Sequence, residues 1–355
     1  NFDGMKFVID WKDGSSMLAS ILCRPGVDSP TRAAAPNRVV YRDGRRYLVG
    51  DPRVYREIAL ICEERNGVAV PMAAAGNLGF WENVGQNPGF KEALADVCRE
   101  KCGFVWTDLD GDGKPQLPEV QWTEKKGLGA LYCGAYVGED LSLNFGGARL
   151  RPVGFTPKGA PRYDLAKAED VPLLSGSSAW TTADGSVFVV GGNRLLAPDG
   201  STLWEIRDDH PGVNRSGAPR QMGVPVAQFE ALGHLTFGKE ELFVSNGNYG
   251  DWFVTSRDGL MPCWVLGGPP GQGRRHWTMA EWNRGRTRLD DLRMDAEDFS
   301  GSILQADDGR VYLIAGGSHN SVVRVDGLER MVRLNGTFTI TADDLAAART
   351  WQARA

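Results

Sequence analysis

The sequence predicts an all-β chain folded as a β-propeller of four-stranded blades, six to eight in number, with small helical insertions. Three observations predict it. A strand–turn grammar repeats along the chain, the middle strands of the repeats are almost wholly apolar, and the composition is rich in glycine and tryptophan, at 45 and 11 residues of 355. Many glycines with many aromatics suit short strands joined by tight turns.

The repeat is clearest in two places. Residues 180–206 read WTTADGSVFVVGGNRLLAPDGSTLWEI, and residues 304–334 read LQADDGRVYLIAGGSHNSVVRVDGLERMVRL. Each parses as strand, Asp-Gly turn, apolar strand, Gly-containing turn, strand, Asp-Gly turn, strand. Asp-Gly supplies the positive φ of a tight hairpin. Weaker copies occupy 38–72, 128–164 and 233–268, and 5–22 supplies one further hairpin, giving five units and a half. The half unit is expected to be completed by sequence upstream of Asn1 or by the segment around Thr337–Ile340. Middle strands such as Val187–Val190 and Val311–Ile314 are expected to be covered on both faces by neighbouring blades. A β-sandwich would explain the strands but not the four-strand grammar.

The whole of 1–355 is read as one propeller domain carrying two insertions, at 108–119 and 268–298. Two helices interrupt the strands. Phe90, Leu94 and Val97 share one face of a helix over Pro88–Lys101. A second helix starts at Ala342, with Thr341 and Asp344 in capping-box positions. Both are expected to be surface decorations.

Residues 108–119, DLDGDGKPQLPE, place Asp108, Asp110 and Asp112 at positions 1, 3 and 5 of a calcium loop, Gly113 at position 6 and Glu119 at position 12. Alternating aspartates on a tight turn gather their carboxylates around one point, and Ca²⁺ takes 6–8 hard oxygen ligands. Lys114 would ligate through its carbonyl, and Gln116 directly or through water. The flanks are not helical, and Gly103–Thr107 reads as a strand. The loop is therefore expected to be a lone structural calcium site within a blade.

The second insertion concentrates cations and indoles: Arg274, Arg275, His276, Trp277, Trp282, Arg284, Arg286 and Arg288. Indole faces stack on sugar rings and guanidiniums fork carboxylates. Loops held on a rigid scaffold commonly carry function. His319 and Asn320 follow a Gly pair at a strand end, and Tyr249 and Trp252 in NGNYGDW are expected on the same face. These residues point to an acidic carbohydrate as ligand. If the protein is catalytic, the chemistry expected is lyase-like, with Arg275 neutralising a uronate carboxylate, His276 or His319 as base or acid, and Tyr249 beside them. Trp252, Arg274, Trp277, Trp282 and Asn320 would contact the ligand. The alternative is a non-catalytic scaffold that binds a protein partner on one propeller face.

The net charge of −5 argues against a general nucleic-acid binder, and no apolar run approaches the ~20 residues of a membrane span. The chain is expected to be monomeric. No dinucleotide fingerprint, phosphate loop or Ser-His-Asp spacing occurs, and the six cysteines form no CxxC. The chain is read as a processed piece of a longer protein, because it begins at Asn1 without a signal peptide.

The repeated DGxxYΦΦxG strand pairs, the segment WTDLDGDGKPQLPEVQW and the stretch FSGSILQADDGRVYLIAGGSHNSVVRVDGL resemble those of secreted bacterial propellers of the NHL- or quinoprotein-like type, which are often glycan-associated. The resemblance implies a periplasmic or secreted setting. The tryptophan-docking repeats of true quinoprotein dehydrogenases are absent, so it does not imply a quinone.

Overall fold

The computed structural model describes residues 4–10, 12–13, 15–22, 36, 38–50, 58–81, 84–86, 88–124, 136–145, 147–171, 178–190, 193–206, 210–211, 217, 225, 228–247, 252–260, 263–265, 300–316, 320–333 and 339–352. The fold is a β-propeller arrangement of antiparallel sheets. Among the described residues it has five blade-like sheets, fewer than the six to eight the repeats predict.

The first sheet has six strands in sequential order: β3 (Arg38–Arg42), β4 (Arg45–Gly50), β5 (Ile58–Arg65), β6 (Val68–Asn77), β7 (Gly103–Thr107) and β8 (Val120–Thr123). The blade expected at 38–72 is thus lengthened by the hairpin that carries the acidic loop. One reason for the lower blade count is β1 (Gly4–Asp10) with β2 (Ser15–Leu22), which forms a two-stranded sheet of its own. The second sheet orders β14 (Glu169–Asp170), β11 (Ala148–Leu150), β10 (Leu143–Phe145) and β9 (Tyr136–Val137). Its fourth strand lies beyond the expected 128–164 unit. The intervening β12 (Gly154–Phe155) and β13 (Pro161–Arg162) form a separate hairpin.

The third sheet, β15 (Ala179–Thr181) to β18 (Thr202–Glu205) through β16 (Val187–Val189) and β17 (Arg194–Leu196), matches the predicted unit at 180–206. The fourth runs β19 (Gln228–Phe237), β20 (Glu240–Gly247), β21 (Trp252–Ser256) and β22 (Cys263–Val265). The fifth has three strands, β23 (Ser300–Gln305), β24 (Val311–Gly316) and β25 (Asn320–Val325). Where a fourth strand was expected, Leu328–Arg330 forms a 3₁₀ turn, and Arg333 is clamped by Glu240 and Asp258 of the fourth sheet.

Packing between sheets explains the apolar middle strands. In β16, Val187 and Val189 face one cluster with Val171 and Ala179, while Phe188 faces Ala231 and Phe243 of the fourth sheet. All three β16 residues are buried because side chains alternate and each face meets a different apolar cluster. The Phe188 and Phe243 rings stack with centroids 5.0 Å apart. Likewise Leu232, Val244 and Trp252 meet Ile303 and Leu313 of the fifth sheet. The first strands of successive sheets, β9, β15, β19 and β23, lie side by side, as a propeller hub requires.

Of the two predicted helices, α1 is shorter than expected, Pro88–Ala93, and is not a decoration. Phe90 and Leu94 are buried with Trp81, Phe104 and Trp106, so this insertion covers one face of the first sheet. α2 (Ala342–Gln352) is solvent-exposed, with the expected reciprocal cap: Asp344 N donates to Thr341 Oγ1 at 3.2 Å and Thr341 N to Asp344 Oδ2 at 2.8 Å.

Candidate functional site

The acidic loop joins β7 to β8. Its local fold follows from side chains that capture backbone N–H groups, as aspartates in turns do. Asp108 Oδ1 accepts from Gly111 N at 2.8 Å and Oδ2 from Gly113 N at 3.2 Å; Asp110 accepts from Asp112 N and Asp112 from Lys114 N. Gly111 and Gly113 take φ of +80° and +76°, which lets the chain turn twice within six residues. Carboxylate oxygens of Asp108, Asp110 and Asp112 converge within 4.8 Å of one another.

Asp108 is buried, and Asp110 and Asp112 are exposed. Burial pushes the Asp108 carboxyl up; the Gly111 and Gly113 amides pull it down, the Glu119 and Asp112 charges push it up again, and the net shift is upward. The Gln116 amide donates to both Asp110 and Asp112, at 3.3 and 3.0 Å, so positive polarity already points into the cluster. Glu119 faces the protein: its oxygens accept from Leu109 N at 2.7 Å, Trp106 Nε1 at 3.0 Å and Gln116 N at 3.1 Å. Lys158, in the β12–β13 turn, lies against Gly111 and donates to the Asp110 carbonyl at 2.8 Å. The donor set is hard oxygen throughout, and three carboxylates around one point fit a divalent cation of the calcium class.

The other predicted site residues divide as follows. Arg274, Arg275, His276, Trp277, Trp282, His319 and Tyr249 lie outside the described residues. Asn320 begins β25. Trp252 begins β21 and is fully buried, its ring so close to Gly301 that a Cβ there would come within 2.2 Å of it. Its indole is therefore packed between the fourth and fifth sheets and not presented to solvent.

The structure also brings together residues that no local motif marks. His234, on β19, places Nδ1 3.0 Å from Glu139 Oε1 and Nε2 3.6 Å from Glu241 Oε2. Glu139 also accepts from Trp180 Nε1 at 2.9 Å, and the Arg38 guanidinium lies 4.3 Å from the centre of the Trp180 ring. Burial pushes the Glu139 carboxyl up, but the His234 hydrogen bond and charge, the Trp180 indole and the Arg38 charge outweigh it and hold the group below the ordinary glutamate range. The only sequence signal was the scarcity of histidine, four in the chain.

No family model and no curated protein matches the chain. Among solved structures it is similar to BamB from Moraxella catarrhalis, at 9% identity and a TM-score of 0.25, over 88% of this chain and 64% of that one. It thus spans less than two thirds of BamB's length. It is also similar to the SapL1 lectin in complex with alpha methyl fucoside, at 10% identity and a TM-score of 0.26, over 84% of this chain and 98% of that one. Among the described residues, no helix is long and apolar enough to cross a membrane.

Proposed function

We propose that this chain is a calcium-clamped β-propeller of the periplasm or cell exterior that binds or acts on an acidic carbohydrate. The observation that carries the reading is the convergence of Asp108, Asp110 and Asp112 within 4.8 Å on a loop whose backbone already holds those carboxylates in place. Calcium would be held by the three aspartates, with the Lys114 carbonyl and Gln116 adding oxygens; Glu119, expected as a further ligand, has both oxygens turned to Leu109 N, Trp106 Nε1 and Gln116 N and would brace the loop from the protein side. Its contribution would be to offset carboxylate repulsion and pin β7 to β8.

The ligand half of the reading rests on sequence. The segment 268–298 gathers arginines and tryptophans of the kind that fork carboxylates and stack on sugar rings. In a lyase-like use, Arg275 would neutralise a uronate carboxylate while His276 or His319 exchanges the proton, with Tyr249 nearby. Arg274, Trp277, Trp282 and Asn320 would hold the chain of sugars. Kinship with NHL- or quinoprotein-like secreted propellers belongs to the same proposal and is supported by the DGxxYΦΦxG pairs.

The test is a panel of acidic polysaccharides, pectate and alginate among them. Calorimetry reads binding, and ultraviolet absorbance of an unsaturated uronate reads cleavage. Binding that is lost in Arg275→Ala and Trp277→Ala supports the reading. Neither binding nor cleavage across the panel, with calcium present, overturns it.

A further inference from the structure

We propose that a cavity between the fourth and fifth sheets binds a primary alkylammonium group, of the kind that a lysine side chain or a small aliphatic amine carries. The cavity holds about 300 Å³, at the lower end of the ~300–1,000 Å³ range of ligand sites. It opens where three turns meet: the end of β19, the β23–β24 turn and the 3₁₀ turn after β25. Phe237, Val311, Val325 and Leu328 line it with apolar surface from the cluster that joins the two sheets. Asp308, Asp326 and Glu329 line it too, against a single guanidinium, Arg310. Val311 and Leu328 are buried, whereas the Asp326 and Glu329 side chains are 62% and 61% exposed, so the floor is apolar and the mouth is negative. An alkylammonium stem covers apolar surface while its charged head stays at a polar rim. The charge is opposite to what an acidic carbohydrate needs, so the occupant is a different one.

The walls are held in place by the fold. Gly309 N donates to the Ala306 carbonyl and Ala306 N to the Arg310 carbonyl, both at 2.9 Å, which closes the β23–β24 turn; Arg330 N donates to the Gly327 carbonyl at 3.0 Å. Arg333 Nε donates to Glu240 at 2.8 Å and ties the chain after the 3₁₀ turn back to β20, so both sides of the cleft are held together. The carboxylates keep capacity to accept more. Asp308 accepts from Arg310 N at 2.9 Å and from the Tyr312 hydroxyl at 3.2 Å, and the Arg310 guanidinium lies 3.7 Å away. Asp326 meets one nitrogen, Arg324 Nε; Glu329 accepts from Gly327 N at 3.1 Å and lies 3.4 Å from Arg330 Nε. An ionised carboxylate offers about four lone-pair sites. The Arg324 and Arg330 side chains are 51% and 80% exposed, so their pairs are weak and a ligand cation can compete with them. Among the described residues only Asp108, Asp110 and Asp112 bring three such groups within 4.8 Å of one another. Asp308, Asp326 and Glu329 do not, so they ring the mouth and share no common point, which suits an organic cation and not a metal ion.

The experiment titrates isotope-labelled protein with n-pentylamine, n-pentanol and pentanoate and reads the amide resonances of Gly309, Arg310 and Gly327. The amine is expected to shift them saturably, and the alcohol and the acid to leave them in place. Asp326→Asn and Glu329→Gln change exposed side chains, so both variants fold. Each is expected to weaken amine binding about two- to fivefold, the size of one exposed charge contact, and added salt to weaken it further. Asp343→Asn, on the exposed α2, leaves the affinity unchanged. Nα-acetyl-lysine methylamide and the same lysine within an alanine peptide then separate the sources. Tighter binding of the peptide assigns the cavity to a partner's lysine; equal or weaker binding assigns it to a free amine. No saturable shift, pentanol binding as tightly as pentylamine, or an affinity unchanged when Asp326→Asn and Glu329→Gln are combined overturns the proposal.

Discussion

Trp106 and Glu119 are joined across the β7–β8 hairpin: the indole Nε1 donates to the carboxylate at 3.0 Å. Trp106 is fully buried in the core of the first sheet, so the last residue of the acidic loop is anchored in that core and not in solvent.

The first prediction concerns that anchor. Three donors, Trp106 Nε1, Leu109 N and Gln116 N, converge on two Glu119 oxygens. Glu119→Gln turns an NH₂ group toward at least one of them, and Glu119 is only 7% exposed. Leaving a buried donor unpaired costs ~1–3 kcal/mol. Unfolding free energy from urea titration is expected to drop by that amount in the presence of chelator, seen as a lower midpoint at unchanged m-value. A midpoint equal to the wild type's would show that the anchor is dispensable.

Calcium is expected to raise the melting temperature, since it binds the assembled loop and not the unfolded chain. At a hundredfold excess over the dissociation constant the gain is ~2.7 kcal/mol. Asp112→Asn tests this most cleanly. Asp112 is exposed, and an amide oxygen still accepts from Lys114 N, so the loop can keep its turn while losing a charge. Asp108→Ala removes the acceptors for Gly111 and Gly113 as well and should destabilise even with chelator. Identical melting curves with calcium and with chelator in the wild type would reduce the loop to an acidic turn.

The fit of Trp252 against β23 predicts a sharp contrast between glycines. A Cβ at Gly301 would lie 2.2 Å from the Trp252 ring and 2.2 Å from the Ile314 carbonyl, and the carbonyl is backbone paired within the sheet. Gly301→Ala is expected to cost roughly 1–3 kcal/mol by overpacking. Gly154→Ala, with nothing within 4 Å of the new methyl, should change stability by less than ~0.5 kcal/mol. Equal urea midpoints for the two variants would contradict the packing described here.

The blades were legible where the signal is local. Asp-Gly turns and two-sided apolar strands mark the third sheet within one stretch of 27 residues, 180–206. The acidic loop was legible for the same reason, as its aspartates sit two residues apart. What long-range pairing decides was not. Nothing around 103–123 announces that β7 and β8 extend the first sheet, or that Phe90 and Leu94 of the helical insertion are buried against it. The His234 group was invisible because Glu139 is 95 residues away in sequence and meets it only once the second and fourth sheets are in place. Trp252, read as a ligand contact, is buried because β21 is covered along its whole length and its ring lies over the bare Gly301 beside Ile303 and Leu313.

The last prediction concerns acid stability and rests on Asp184, at the turn between β15 and β16. Burial pushes its carboxyl up, but Thr182, the Ser186 amide, Arg257 and the Ser186 hydroxyl together hold it far below the ordinary aspartate range. A carboxylate depressed in the folded state contributes stability above its unfolded pKa, about 3.9, and loses it as pH falls below that value. Wild-type stability should therefore decline as pH drops from about 5 toward 2, partly on account of this residue. Asp184→Asn keeps an acceptor for Ser186 N but loses the charge facing Arg257, so it should be less stable at pH 7 and lose less on acidification. The side chain is 50% exposed, so added salt should weaken its pairing with Arg257 and narrow the gap between the two proteins at pH 7. Arg257 keeps its bond to Glu241 in this variant. Urea midpoints at pH 7, 4 and 3 decide it: if wild type and Asp184→Asn lose stability in parallel, the Asp184 charge contributes nothing to holding the third and fourth sheets together.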